Sequence, residues 1–195
     1  MDRKEEILEA ASRVFEKYGL AKSTLEDIAL ECGIKKTALY YYFKNKEELF
    51  KTMFMKDIES IKKHIDKEVL MQETTIGKFR VYMIQRVKSM DKMRKYFDIF
   101  QGDNASASYR DFAFQEKEKV LRYEMDKLTQ VASEGVKNGE LEIENIRSFV
   151  LMIRGVALGL THEFLIMETA SNAEEEVNNI LQIILKGIQK KQENK

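Results

Sequence analysis

Apolar residues recur at the spacing of an α-helix along most of this chain. In the first stretch, Ile7, Ala11, Val14 and Tyr18 follow the i, i+4, i+7 pattern of a helix with one buried face. Gly19 is placed to end that helix in a left-handed cap. The same periodicity and its breaks predict helices over about 3–18, 25–32, 36–43, 45–69, 75–90, 93–101, 108–136, 145–169 and 173–190.

The composition agrees with a helical fold. The chain has 195 residues, of which none is proline and nine are glycine. These two residue types are the main interrupters of helices. No stretch shows a sustained alternation of apolar and polar residues bounded by turn residues, which is the sign of a strand. We therefore predict an all-α protein.

Two of the short predicted helices meet at Gly33, as they do in a helix-turn-helix. The 33 basic and 33 acidic residues of the chain cancel, but residues 33–46 hold four lysines and no acid. Three consecutive tyrosines, 40–42, lie in the same stretch. Lysines bind phosphates and tyrosine hydroxyls fix register on a duplex. Although a solvated amphipathic surface is an alternative, a cluster of exposed tyrosines favours DNA binding.

The helix predicted from Asn45 continues into the rest of the chain without a flexible linker. We expect a helix-turn-helix DNA-binding domain at 1–46 and a helical ligand-binding and dimerisation domain at 47–195. A stiff connection between the two can transmit movement.

The N-terminal quarter resembles the tetracycline-repressor (TetR) family of bacterial transcriptional regulators. The resemblance rests on Ile7-Leu-Glu-Ala-Ala-Ser-Arg-Val-Phe15, Tyr18-Gly19, Thr24, Asp27-Ile-Ala29, Gly33-Ile34, Leu39-Tyr40, Tyr42-Phe43-Lys44 and Lys46-Glu-Glu-Leu-Phe50. It implies a cytoplasmic homodimer that binds a palindromic operator, usually as a repressor released by a small molecule.

By the same resemblance, Tyr40 would lie at the base edges or the adjoining backbone, and Tyr42 and Lys46 would contact phosphates. Thr24 would offer its amide and hydroxyl to another phosphate. The chain departs from the family pattern at Lys35, which stands where a serine commonly caps the recognition helix. The predicted DNA-binding residues are Thr24, Lys35, Lys36, Thr37, Tyr40, Tyr41, Tyr42, Lys44 and Lys46.

The last two helices are the predicted dimer interface. Gly155 and Gly159 lie one turn apart, a spacing that lets two helices approach closely. Paired with the apolar stripe of the last helix, they would form a four-helix interface about a two-fold axis. The alternative is that both helices complete the domain's own core. The predicted interface residues are Gly155, Gly159, Val177, Ile180, Leu181, Ile184, Leu185 and Ile188.

Methionines and aromatic residues of the second domain are candidates for a ligand pocket, although they equally fill ordinary cores. His162, next to Glu163 on an apolar helix, is the most distinctive polar candidate, with a core or interface histidine as the alternative. A ligand would be small and largely hydrophobic. The predicted pocket residues are Met83, Met90, Phe97, Phe100, Tyr109, Phe112, Met152 and His162.

Other classes of function find no support in the sequence. No phosphate-binding glycine loop, nucleophile elbow or metal-ligand spacing is present, so we predict neither an enzyme nor a cofactor or metal site. Cys32 is the only cysteine, which fits a reducing cytoplasm. Charges at Arg154 and Glu163 interrupt the longest apolar run, so a membrane span is not expected. An activator or ligand-independent regulator of the same fold, or a helical interaction module without its own operator, remains as an alternative.

Overall fold

The computed structural model describes residues 2–90, 92–94, 96, 107–167 and 173–188. For residues 107, 164–167, 173 and 185–188 it describes the helical backbone only. These residues contain helices and no strand, so the all-α prediction is confirmed. Most of the predicted helix at 93–101 lies outside the described residues. The helices are α1 Arg3–Tyr18, α2 Leu25–Glu31, α3 Lys36–Tyr42, α4 Lys46–Leu70, α5 Thr75–Lys88, α6 Ala107–Lys137, α7 Ile146–Met167 and α8 Ala173–Ile188.

Local sequence explains where several helices begin and end. The Asp2 carboxylate caps α1, and Gly19 ends it at a φ of 76°. Gly33 takes a φ of 68° in the turn between α2 and α3. Positive φ angles of this size are strained for side-chain-bearing residues and easy for glycine. Gly19 and Gly33 therefore form the turns that the sequence predicts.

The chain divides into two compact units that share α4. The N-terminal unit comprises residues 1–60 and 92–116, and the second unit comprises 61–91 and 117–195. This division differs from the predicted boundary at residue 46. The reason is aromatic packing: Phe50 and Phe54 of α4 lie 5.8 and 4.8 Å, ring centre to ring centre, from Tyr96. The first half of α4 thus belongs to the core of the N-terminal unit.

The N-terminal unit is built around the buried faces of α1, α2, α3 and the start of α4. Ile7, Ile28, Leu39 and Leu49, one from each helix, are fully buried. Burial of side chains of this size contributes about 1.5–3 kcal/mol each. Phe43, which follows α3, is also buried. Together these contacts hold α3 against the other helices by one side.

In the second unit, α5 packs against α7 and α8. Phe79 meets Phe149 edge to face at 5.2 Å. Gly135 of α6 lies so close to Thr75 that an added Cβ would stand 2.6 Å from the threonine Cγ2 atom. A side chain at 135 would therefore require the Thr75 side chain to shift.

Candidate nucleic-acid interface

One face of α3 is left open to solvent. Lys36, Thr37, Tyr40 and Tyr41 follow the i, i+1, i+4, i+5 spacing of a single helix face, and all four are exposed. Tyr41 has 85% of its surface accessible, whereas Leu39, on the opposite side, is fully buried. Because a tyrosine ring is costly to leave in water, this arrangement indicates a surface that binds a partner.

The start of α2 is tightly capped through Thr24. The Asp27 amide donates to the Thr24 hydroxyl oxygen at 3.2 Å, while the Thr24 amide and hydroxyl donate to the Asp27 carboxylate at 2.8 and 2.7 Å. These bonds hold the pKa of Asp27 below its usual range. Both Thr24 donors that were predicted to reach a phosphate are therefore engaged within the free protein.

The start of α3 has no such cap. Lys35 occupies the N-cap position and makes no side-chain hydrogen bond there. The first turn of α3 also holds no acid. The backbone amides of this turn and the positive end of the helix dipole are thus available to an anion.

The lysines near α3 differ in whether their ammonium groups already have partners within the protein. The Lys36 ammonium pairs with the Glu26 carboxylate and lies 5.7 Å from the centre of the Tyr40 ring. Lys44 is exposed, and its backbone amide donates to the Glu48 carboxylate at 2.9 Å. The acid beside Lys36 was missed from the sequence, since the turn that brings residues 26 and 36 together leaves no periodic signal.

The Lys46 ammonium has a different role from the predicted phosphate contact. It donates to the backbone carbonyls of Leu20, Ser23 and Ala21 at 2.6, 2.8 and 3.4 Å. An ammonium has three donors, so none is left over in the free protein. Burial lowers the pKa of Lys46. This side chain fixes the α1–α2 connection to the start of α4. Tyr42, another predicted phosphate contact, is half-buried and its ring meets that of Tyr41 edge to face at 5.2 Å.

Comparison with known proteins places this interface in a family. The family model described as "Bacterial regulatory proteins, tetR family" matches residues 7–53, which hold α1, α2, α3 and the start of α4. Over these residues the chain matches the TetR family of bacterial regulators. TetR-family regulators are DNA-binding proteins and not enzymes, in agreement with the prediction.

Individual relatives extend this result. The chain is 48% identical over 48 residues to YerO, an uncharacterized helix-turn-helix transcriptional regulator of Bacillus subtilis, a match spanning 25% of this chain and only 17% of that relative's length. Two solved structures share its fold. FadR of Bacillus subtilis in complex with stearoyl-CoA has a TM-score of 0.68 at 19% identity, over 95% of this chain and 99% of that one. The SmeT–triclosan complex has a TM-score of 0.72 at 21% identity, over 98% and 94%.

The predicted pocket residues are distributed over both units. Met83 is fully buried in the second unit, whereas Tyr109 and Phe112 are half-buried in the N-terminal unit. Met152 and His162 are both exposed on α7, outside the core of the second unit. Periodicity alone did not show which side of this almost wholly apolar helix faces inward. Met90 is half-buried, and Phe97 and Phe100 lie outside the described residues.

The predicted dimer residues also separate into two groups. Val177 and Leu181 are buried within the second unit, where they contribute to the chain's own core. Gly155 and Gly159 are exposed, while Ile180 and Ile184 are half-buried; the side chains of Leu185 and Ile188 lie outside the described residues.

Among the described residues, no group of three or more His, Cys, Asp or Glu side chains is arranged to hold a metal ion. None of the helices that these residues form is long and apolar enough to cross a membrane.

Proposed function

We propose that this chain is a homodimeric cytoplasmic repressor that binds a palindromic operator and leaves it when a small, largely hydrophobic ligand binds the second unit. The exposed face of α3, with Lys36, Thr37, Tyr40 and Tyr41, is the observation that carries the proposal. In a dimer, two such helices enter successive major grooves about 34 Å apart.

The chemistry of α3 supports contact with a duplex. Lys35 and Lys44 are exposed at its two ends and supply salt-dependent phosphate contacts. The uncapped amides of the first turn can donate to a phosphate between them. Thr37 and Tyr40, on the open face, would lie at the base edges.

An exposed face of α7 supports dimerisation. Leu151, Met152, Gly155 and Gly159 are all accessible on it, and a Cβ added to either glycine would meet nothing within 4 Å. On α8, Ile183 has 72% of its surface accessible. A second copy of the same two helices would cover these apolar groups and approach closely at the glycines. This proposal keeps Gly155 and Gly159 of the predicted interface and replaces Val177 and Leu181 by Leu151, Met152 and Ile183.

Two observations support release by a ligand. The fold neighbours FadR and SmeT hold stearoyl-CoA and triclosan, both of which carry large apolar parts. Helix α4 runs unbroken from Lys46 to Leu70 and contributes residues to both units. A ligand that tilts α4 would change the separation of the two α3 helices and so weaken operator binding.

The test is operator selection from random DNA, followed by fluorescence anisotropy at several salt concentrations. A selected palindrome should bind two chains per site. Lys44→Ala should weaken binding to all sequences and reduce the slope of log K against log [salt] by about 1. Thr37→Ala should instead relax preference at one base position. Lys56→Ala is the matched control, since Lys56 lies on α4 more than two turns beyond Lys46 and pairs with Glu5.

Failure to select a palindrome, or equal salt slopes for Lys44→Ala and Lys56→Ala, would contradict the proposal. Glu26→Gln provides an opposite check. It releases Lys36 from its pair and removes a negative charge next to α3, so operator affinity should rise.

A further inference from the structure

A group of charged and polar side chains lies inside the second unit. Tyr82 and Arg86 are one turn apart on α5, Glu124 projects from α6 and Arg154 from α7. Tyr82 and Glu124 have only 4% and 7% of their surface accessible. The Arg86 Nε atom lies 2.8 Å from a Glu124 carboxylate oxygen. We call these four residues the inner polar cluster.

The inner polar cluster is incompletely hydrogen-bonded. Four of its buried atoms form no hydrogen bond among the described residues: the Tyr82 hydroxyl, Arg86 Nε, the second Glu124 carboxylate oxygen and Arg154 Nε. Of these, only Arg86 Nε lies against an opposite charge, as an ion pair with the first Glu124 oxygen. Arg154 Nη1 reaches the Leu121 carbonyl only at 3.5 Å, which is a weak contact. Buried polar atoms are nearly always paired, because leaving them unpaired destabilises the fold. The cluster is therefore arranged for something other than the stability of the free chain.

The charges of the cluster favour an anion. Two guanidinium groups and one carboxylate leave one positive charge uncompensated, and Arg86 already pairs with that carboxylate. Burial, together with the neighbouring Glu124 carboxylate, raises the pKa of Tyr82, so its phenol stays a neutral donor at physiological pH. Tyr82 and Arg154 thus offer unpaired donors beside a net positive charge.

The surroundings of the cluster are apolar. Met83, Leu128, Ile153 and Ala157, which lie on the same three helices, are buried in the core of the second unit. A purely inorganic anion would gain nothing from such neighbours. An amphipathic molecule, with an apolar body and a charged end, suits both parts of the site.

We propose that the inner polar cluster binds the carboxylate of an amphipathic monoanion, with Tyr82 and Arg154 donating to its oxygens and Arg86 holding Glu124 aside. This rests on the proposed ligand response of the second unit and names the chemical class of the ligand. A single negative charge matches the single uncompensated positive charge, whereas a dianionic phosphate monoester exceeds it.

The test compares dodecanoate, dodecanol, dodecylamine and dodecyl phosphate by calorimetric titration and thermal unfolding, without DNA. Dodecanoate should bind about tenfold or more tightly than each of the other three, because only it pairs with the unpaired donors and balances the charge. Acetate alone should not bind measurably, because it lacks the apolar body.

Arg154→Met should lower dodecanoate affinity about tenfold and leave dodecanol affinity unchanged. Its Tm without ligand should equal or exceed that of the parent protein, because a buried, incompletely paired cation has been removed. A residue with a merely structural role would lower Tm instead. Arg147→Met is the matched control, since Arg147 is exposed on the same helix, and neither its affinities nor its Tm should change.

Equal affinities of the unaltered protein for dodecanoate and dodecanol would overturn the proposal, as would parallel losses of both affinities and of Tm in Arg154→Met. If Arg154→Met does not fold, Tyr82→Phe gives the same decision through the dodecanoate-to-dodecanol ratio. DNA binding is measured separately by anisotropy. Dodecanoate preference without any operator would refute the repressor proposal alone, and an operator-binding protein without that preference would refute this one alone.

Discussion

Two ion pairs, one in each unit, have almost the same length and very different surroundings. In the N-terminal unit, Arg13 and Glu31 meet at 2.7 Å with side chains 56% and 42% exposed. In the second unit, Arg86 and Glu124 meet at 2.8 Å with side chains 17% and 8% exposed. Water screens the first pair and stabilises either partner left alone. The second pair has no such support, so distance alone does not rank the two.

The difference follows what each unit offers to a partner. The N-terminal unit presents its candidate interface on the outside of α3, where lysines and tyrosines stay hydrated until DNA arrives. The second unit keeps its most unusual polar groups inside, where only a ligand that enters the core could reach them. Polar residues of a binding site on the surface cost the fold little stability, because water hydrates them. Polar residues of a binding site in a core lower the stability of the free protein, because some of their hydrogen bonds are unmade.

The largest effect is expected from breaking the buried pair. Arg86→Met leaves the Glu124 carboxylate buried without its partner, which should lower the free energy of unfolding by about 3–5 kcal/mol. Urea or thermal unfolding measures the loss.

The control removes both charges. Arg86→Met with Glu124→Leu should recover at least half of that loss, because a buried pair replaced by apolar groups of similar volume is often neutral. A double variant as unstable as Arg86→Met would show that packing, and not the stranded charge, causes the loss.

Sequence reasoning captured the N-terminal unit better than the second. The turns at Gly19 and Gly33 depend on neighbours close in the chain, and the structure has both as predicted. The exception is Lys46, whose carbonyl partners lie more than twenty residues earlier.

The inner polar cluster could not be predicted. Residues 82 and 86 lie on α5, residue 124 on α6 and residue 154 on α7, and each is an ordinary residue in its own stretch. Arg154 was noted only as an interruption of an apolar run. Long-range helix packing brings the four together, and no local pattern encodes it. The same limitation applies to Met152, because a helical period assigns it to a face without saying which face is inside.

An intermediate effect is expected at Lys46. Lys46→Met removes the ammonium from the carbonyls of Leu20 and Ser23, which should cost about 1.5–3 kcal/mol of stability, as for hydrogen bonds to charged groups. Lys44→Met is the matched control on the other side of Asn45. It should weaken operator binding and leave the free energy of unfolding unchanged. The reverse pattern would mean that Lys46, and not Lys44, meets the phosphates.

A gain of stability is expected at the uncapped start of α3. Lys35→Ser supplies a side-chain acceptor for the free amides of the first turn, which should stabilise the chain by about 0.5–1 kcal/mol. Lys35→Ala removes the same charge without supplying an acceptor and should show no gain. Both variants should bind the operator more weakly at low salt. Equal stability of the serine and alanine variants would indicate that the amides are already satisfied by solvent.

The smallest effect is expected from the exposed pair of the opening comparison. Arg13→Met removes the partner of Glu31, but that carboxylate stays hydrated, so thermal unfolding should give the same Tm within error. Glu31 also holds the pKa of Arg13 above its ordinary value through their hydrogen bond, a shift without consequence because the guanidinium is charged in either case. A loss in Arg13→Met comparable to that in Arg86→Met would mean that burial does not separate the two pairs. If Arg13→Met has nearly the Tm of the unaltered chain while Arg86→Met is much less stable, desolvation explains the difference between the two ion pairs.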